Sequence, residues 1–198
     1  MMSLMTALEE FTVLVKEHLG PSLRGLGWKG SGASWVRPHP THWVLLGWQK
    51  SRDSNRASVE FTCNLLAIAK DVWDAENIPR GRRPDRPSTA TSWFVGWEER
   101  LGNLIPGSGG DRWWFVRPGD DLAGIAREVM GAVTTYGLPA VDRELVRAAE
   151  QPRLCWHNVG GHNWFEPCRR PAEIELKLED RATFRCREHA EAAREQRS

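Results

Sequence analysis

Ala57-Ser58-Val59-Glu60-Phe61-Thr62-Cys63-Asn64-Leu65-Leu66-Ala67 is the stretch that decides the fold class. Val59, Phe61, Cys63 and Leu65 recur at every second position, the period of a strand with one buried face. Cys63 therefore belongs in the core with Phe61 and Leu65. Glu60, Thr62 and Asn64 take the other face, which is expected to be polar and open to solvent. Upstream, residues 34 to 37 and 42 to 49 read as two further strands, the first stopped by Pro38 and Pro40. Strands this close in sequence, joined by short turns, pair antiparallel. Residues 92 to 97 and 112 to 116 extend the sheet around Gly107-Ser108-Gly109-Gly110, which reads as a turn.

Helical periodicity flanks this β-rich centre. Leu4, Leu8, Phe11, Leu14, Val15 and Leu19 share one face, and Leu23 and Leu26 continue it past Gly20-Pro21. The pattern predicts a kinked helix, or two short ones meeting at Pro21, closed by Gly27. Further on, Asp120 and Asp121 sit at a helix cap before the stripe Leu122, Ile125, Ala126, Val129, Met130 and Val133. Gly137 and Pro139 are expected to end that helix, with a second short one over residues 141 to 149. The fold class is α+β: an amino-terminal kinked helix and two later helices on one face of an antiparallel sheet. The sheet uses segments near residues 34, 43, 60, 94 and 113.

At 198 residues and 22.5 kDa, with 40% hydrophobic residues, the chain suits one domain over residues 1 to 150 and an appendage over 151 to 198. A formal net charge of +1 gives no global field to draw in a polyanion. No apolar run approaches the ~20 residues that span a bilayer, and Glu9, Glu10, Lys16 and Glu17 interrupt any amino-terminal signal region. A cytoplasmic protein without membrane contact is the expectation. There are 11 Trp, one Tyr and 22 Arg against five Lys. Most of the tryptophans are expected to build one aromatic core, with a few free to line a binding groove.

The order of motifs through the middle of the chain is informative. It runs Leu26-Gly27-Trp28-Lys29, Trp35-Val36-Arg37, Gln49-Lys50-Ser51-Arg52 and Phe61-Thr62-Cys63-Asn64-Leu65. Arg100-Leu101-Gly102, Asp111-Arg112-Trp113-Trp114 and Tyr136-Gly137-Leu138-Pro139 follow. Together these resemble the bacterial domain-of-unknown-function 4304 family over roughly residues 6 to 142. The resemblance implies an α+β domain with an antiparallel sheet. It supplies no activity and no catalytic residues, and the carboxy-terminal tail lies outside it.

That tail changes texture after Gln151: three of the four cysteines and three of the six histidines fall there. Cys155-x12-Cys168-x17-Cys186-x2-His189 offers thiolate and imidazole, the donors a structural zinc prefers. His157 and His162 are alternative ligands. Four protein ligands leave no open position, so such a zinc staples the tail instead of acting as a Lewis acid. Free thiols, or a disulfide in an oxidising compartment, are the other readings. A catalytic metal with Glu166 or Glu188 as base is a further alternative, though no His-Glu-x-x-His occurs.

Two other constellations remain. Arg52, Asn64, Arg100, Asp111 and Trp113 form a ligand-binding face if the strands pair as supposed, unless Arg100 and Asp111 merely make a structural salt bridge. Arg80, Arg82, Arg83 and Arg86 cluster in a Pro-rich loop that could contact a polyanion, but Asp85 lies among them and the chain is near neutral. A solvated loop is the plainer reading, and nucleic acid is not the expected partner. No dinucleotide fingerprint, phosphate-cradling loop or Gly-x-Ser-x-Gly occurs, so no nucleotide cofactor is expected. The leading expectation is a non-catalytic module that binds another protein, of an accessory or immunity type. An enzyme or small-ligand binder using the sheet face or the tail metal is the alternative, and nucleic-acid binding through the arginine loop the weaker one.

Overall fold

The computed structural model describes residues 5–74, 86–89, 96–150, 168, 172–178 and 181–195. The chain opens with a capping box. The Glu9 N–H donates to the Thr6 hydroxyl (3.3 Å) and the Thr6 N–H to the Glu9 carboxylate (2.7 Å). α1 (Ala7–Val13) then runs through a π-helical segment, Leu14–Leu19, into α2 (Gly20–Gly25). Of the two readings at Pro21, the chain takes the single continuous helix, not two short ones. Proline lacks an N–H and its ring crowds the carbonyl four residues back. The wider turn upstream relieves this: the Gly20 N–H donates to the Val15 carbonyl, five residues back. The helix is closed as expected by Gly27, whose φ of 82° suits glycine.

A six-stranded antiparallel sheet follows, in the order β1 (Lys29–Ser31), β2 (Ser34–Arg37), β3 (His42–Lys50), β4 (Val59–Ala69), β5 (Trp97–Arg100). β6 (Trp114–Val116) pairs with the first part of β4, and β5 with its middle. The strand that decided the fold class is thus the centre of the sheet. β1 falls where a plain turn was expected. The strand expected over residues 92 to 97 is found at Trp97–Arg100, and residues 90–95 lie outside the described set. Two short helices, α3 (Lys70–Asp74) and α4 (Leu101–Leu104), continue from β4 and β5.

α5 (Leu122–Ala132) starts at Asp121, whose carboxylate accepts from the Gly124 N–H at 2.9 Å. Gly137 and Pro139 do not end it. A second π-helical segment, Val133–Gly137, leads directly into α6 (Leu138–Glu150), so the separate short helix expected over 141 to 149 is part of one long one. The device before Pro21 is repeated: the Leu138 N–H donates to the Val133 carbonyl immediately before Pro139.

These helices cover one sheet face. Phe11, Leu14, Leu19, Val129 and Val133 pack with Trp35, Leu46, Phe61, Cys63 and Leu65 in a single apolar core. Trp28, Trp35, Trp48 and Trp114 are buried there, in line with the aromatic-core reading. The Trp35 indole N–H donates to the Gly32 carbonyl at 2.9 Å, and that of Trp114 to Glu128 at 3.0 Å.

The opposite face corrects an expectation. It is covered over Thr62 and Asn64, which are 0% and 8% exposed, and stays open toward Phe115 at 47%. Further along β4, Leu66 and Ile68 join Leu45 and Trp73 of α3 in a second apolar cluster. Two features account for the covering. α3 folds back over this face, and residues 86–89 lie on it with Pro87 buried and Thr89 seated against Gly47. A side chain at Gly47 would overlap Thr89, so the bare backbone there is what admits the segment.

The turn between β2 and β3 carries a paired imidazole motif. The His42 N–H donates to His39 Nδ1 (3.2 Å), and Thr41 Oγ1 lies 2.9 Å from His42 Nδ1. Burial holds the His42 pKa below the usual imidazole value, helped by His39 and Lys70 and opposed by Asp71 and Glu144. The folded state therefore binds this proton less readily than the unfolded chain. The contribution is present above the unfolded imidazole pKa of about 6.5 and is lost as pH falls from there through the folded value. Urea unfolding at pH 7.5 and 5 is expected to show lower stability in acid, with a shallower slope in His42→Gln. An unchanged slope in that variant would assign the acid sensitivity elsewhere.

The appendage contains the hairpin β7 (Ile174–Leu178) and β8 (Arg181–Arg185), followed by α7 (Arg187–Glu195). α7 packs on both strands, and β8 lies against α3. Among the described residues, no helix is long and apolar enough to cross a membrane.

Candidate functional site

Two groups of residues are candidates, one in the appendage and one on the second sheet face. In the appendage, Cys168, Cys186 and His189 place their ligand atoms within 4.8 Å of one another. The Cys168 and Cys186 sulfurs are 3.9 Å apart, and Cys186 Sγ lies 3.3 Å from His189 Nδ1. Tetrahedral zinc, with Zn–S of about 2.3 Å and Zn–N of about 2.0 Å, sets sulfur–sulfur and sulfur–nitrogen separations of about 3.8 and 3.5 Å. The donor types and spacings both fit a metal ion. Local structure explains the pairing of Cys186 with His189. The Cys186 carbonyl accepts the first bond of α7, from the Ala190 N–H at 3.0 Å, so a side chain three residues on lies one turn along. Cys168 arrives from the chain preceding the hairpin.

Three of the four expected ligands are thus together. Cys155 and the alternatives His157 and His162 lie outside the described residues, as does Glu166. Cys63 is separate, as its strand alternation required. It is 0% exposed in the sheet core, and burial pushes its thiol pKa far up.

On the sheet, Asn64 pairs directly with Arg100 across β4 and β5, which puts both side chains on the second face. Arg100 Nη1 donates to Asp111 Oδ2 at 2.6 Å, its guanidinium lies 5.4 Å from the Trp113 ring centre, and the Trp113 N–H donates to the same oxygen at 3.0 Å. The Asn64 amide donates to Gln49 at 2.7 Å. The expected salt bridge exists, and it is built into an aromatic stack. Arg52 stands in the exposed hairpin turn beyond β3 and, among the described residues, joins none of these contacts.

The sequence reading missed Phe115. It pairs with Glu60 in register, so it shares the face of Asn64 and Arg100, and it is 47% exposed with the Arg117 guanidinium 5.9 Å from its ring centre. Alternation from Trp114 was the available signal. Four consecutive apolar residues, Trp113 to Val116, hid it. Of the arginine loop, Arg86 is exposed, whereas Arg80, Arg82 and Arg83 lie outside the described residues.

Four hydroxyls of the described residues tie down the backbone. Ser54 and Ser108 donate to backbone carbonyls, and Thr12 and Ser22 to carbonyls one helical turn back. Against this fold and these sites, a family model described as a domain of unknown function (DUF4304) matches residues 19–143. The chain belongs to the DUF4304 family. No curated protein and no solved structure matches it. The DUF4304 match takes in the whole sheet, the Arg100–Asp111–Trp113 stack and the first turns of α6. It excludes α1 and the appendage, so the Cys/His group is an addition to the DUF4304 part of the chain.

Proposed function

We propose that this DUF4304 protein is a non-catalytic, cytoplasmic protein-binding module, an accessory or immunity-type bacterial factor, whose appendage is stapled by structural zinc. One observation carries the binding reading: the patch of Arg100, Trp113, Phe115 and Arg117 on the second sheet face. Tryptophan and arginine are the residue types that dominate binding energy in protein interfaces. An exposed phenylalanine beside stacked guanidinium groups has the amphipathic character of an interface centre. The Asp111 carboxylate fixes the Arg100 rotamer in advance, which lowers the ordering cost on association. A cytoplasmic setting is supported by the Cys/His group, whose thiols hold a metal only while reduced.

For the zinc, Cys168, Cys186 and His189 supply three ligands, with Cys155 proposed as the fourth. A closed set of four would tie the hairpin, α7 and the chain before them at one point. The tail has few apolar residues of its own, and units this small commonly need such a cross-link.

Capture from the native host tests the binding reading. A single stoichiometric protein is expected on the wild-type chain. Phe115→Ala and Arg100→Ala should each weaken it by about 30-fold or more, the size of a 2 kcal/mol interface contact. Their thermal midpoints should stay close to wild type. Unchanged capture by both variants, or saturable stabilisation by a small molecule with no protein retained, would overturn it.

A further inference from the structure

We propose that Cys168 and Cys186 form an oxidisable dithiol that reacts with hydroperoxides and ejects the metal as it closes to a disulfide. The inference rests on the zinc reading above and adds a chemical response to it. Two observations carry it. The two sulfurs are 3.9 Å apart, so removing a bridging ion leaves about 2 Å to close to a disulfide bond. Their exposures differ: Cys186 is 5% exposed, whereas Cys168 is partly open to solvent.

These differences assign the roles. The Cys168 thiolate meets the oxidant first: its sulfur attacks one peroxide oxygen, the O–O bond breaks, and water leaves after protonation of the other oxygen. The resulting sulfenic acid is attacked by the Cys186 thiolate. The S–S bond forms, the S–O bond breaks, and hydroxide takes up a proton. In total, two thiolates, one hydrogen peroxide and two protons give one disulfide and two waters, and zinc, having lost two ligands, dissociates. His189 is released from the centre, while the new bond still links the chain before β7 to the start of α7. Cys63 takes no part, because burial and its raised pKa deny it both access and thiolate character.

The test uses the full chain, purified without oxidant and treated with hydrogen peroxide. Zinc release is followed with a chromogenic chelator, and the disulfide is mapped by non-reducing peptide mass analysis. The expected result is a Cys168–Cys186 disulfide that appears in step with metal loss, with Cys63 unmodified. Reduction with dithiothreitol and added zinc should restore the bound metal. Retained metal with both thiols still alkylatable would overturn the proposal, as would a disulfide made through Cys155. If the untreated chain holds no metal yet the same disulfide forms, the dithiol stands and the zinc reading falls. Cys168→Ser, which removes the residue that meets the oxidant, should give no disulfide at any peroxide dose, and Cys63→Ser should behave as wild type.

Discussion

Protein purified without an affinity tag should carry about one zinc per chain, and Cys186→Ser should lose it. Cys186 is the best single target, because it contacts both Cys168 and His189 and also begins α7. Serine keeps the size of the side chain but not the thiolate, so the substitution removes a ligand with little change in packing. Structural zinc in small domains supplies on the order of 10–16 kcal/mol of apparent binding free energy, expressed as folding. Losing it should leave the hairpin and α7 open to limited proteolysis, while the sheet domain still unfolds cooperatively. Cys63→Ser should keep its metal. A metal-free wild-type chain with an equally protected appendage would show that Cys168 and Cys186 are ordinary thiols and that packing against α3 suffices.

The second large effect is expected in the sheet core. Phe61 is fully buried and touches three aromatic rings: Phe11, Trp48 and Trp114, at centroid distances of 5.0, 6.3 and 6.2 Å. These come from α1, β3 and β6, so one side chain joins the first helix to both sides of the central strand. Phe61→Ala should cost about 3–5 kcal/mol, combining lost transfer energy with a cavity the rigid neighbours cannot close. Against a total of about 5–15 kcal/mol, that is a large share of the stability. Urea unfolding followed by tryptophan fluorescence reads it directly. A loss below about 1.5 kcal/mol would mean that Trp48 and Trp114 collapse into the space, contrary to the packing described.

Much of this architecture is legible in the sequence, and the failures have particular causes. Alternation placed Phe61 and Cys63 in the core because β4 is long and its first half is strictly two-faced. The same rule misjudged Thr62 and Asn64: periodicity sorts residues onto faces but does not say what covers a face. The cover comes from α3 and residues 86–89, which carry little periodic signal. β1 was hidden because Gly30-Ser31-Gly32 has turn composition, and its pairing rests on backbone bonds to β2. Three metal-ligating candidates were readable because cysteine and histidine are scarce and chemically distinctive. Phe115 was not, since its exposure depends on register with Glu60.

The helix continuations are written in the spacing of the buried residues. Ala7, Phe11, Val15, Leu19 and Leu23 are all buried and spaced by four, as are Val129, Val133, Gly137 and Val141. In a regular α-helix such a stripe drifts by about 40° at each step. A π-helical segment takes up that drift, so a strict spacing of four across a proline predicts continuation with a widened turn.

The two π-helical segments also bear on how the length of this chain can vary. Each amounts to one residue inserted into an otherwise regular helix. A relative without a proline at the position of Pro21 or Pro139 has no need of that residue, and its helix can be one residue shorter there while presenting the same face to the sheet. Single-residue gaps in an alignment of the family are therefore expected within Leu14–Leu19 and Val133–Gly137, paired with absence of the following proline. A gap of one residue elsewhere in these helices would rotate every later side chain by about 100° away from the core, and selection should remove it.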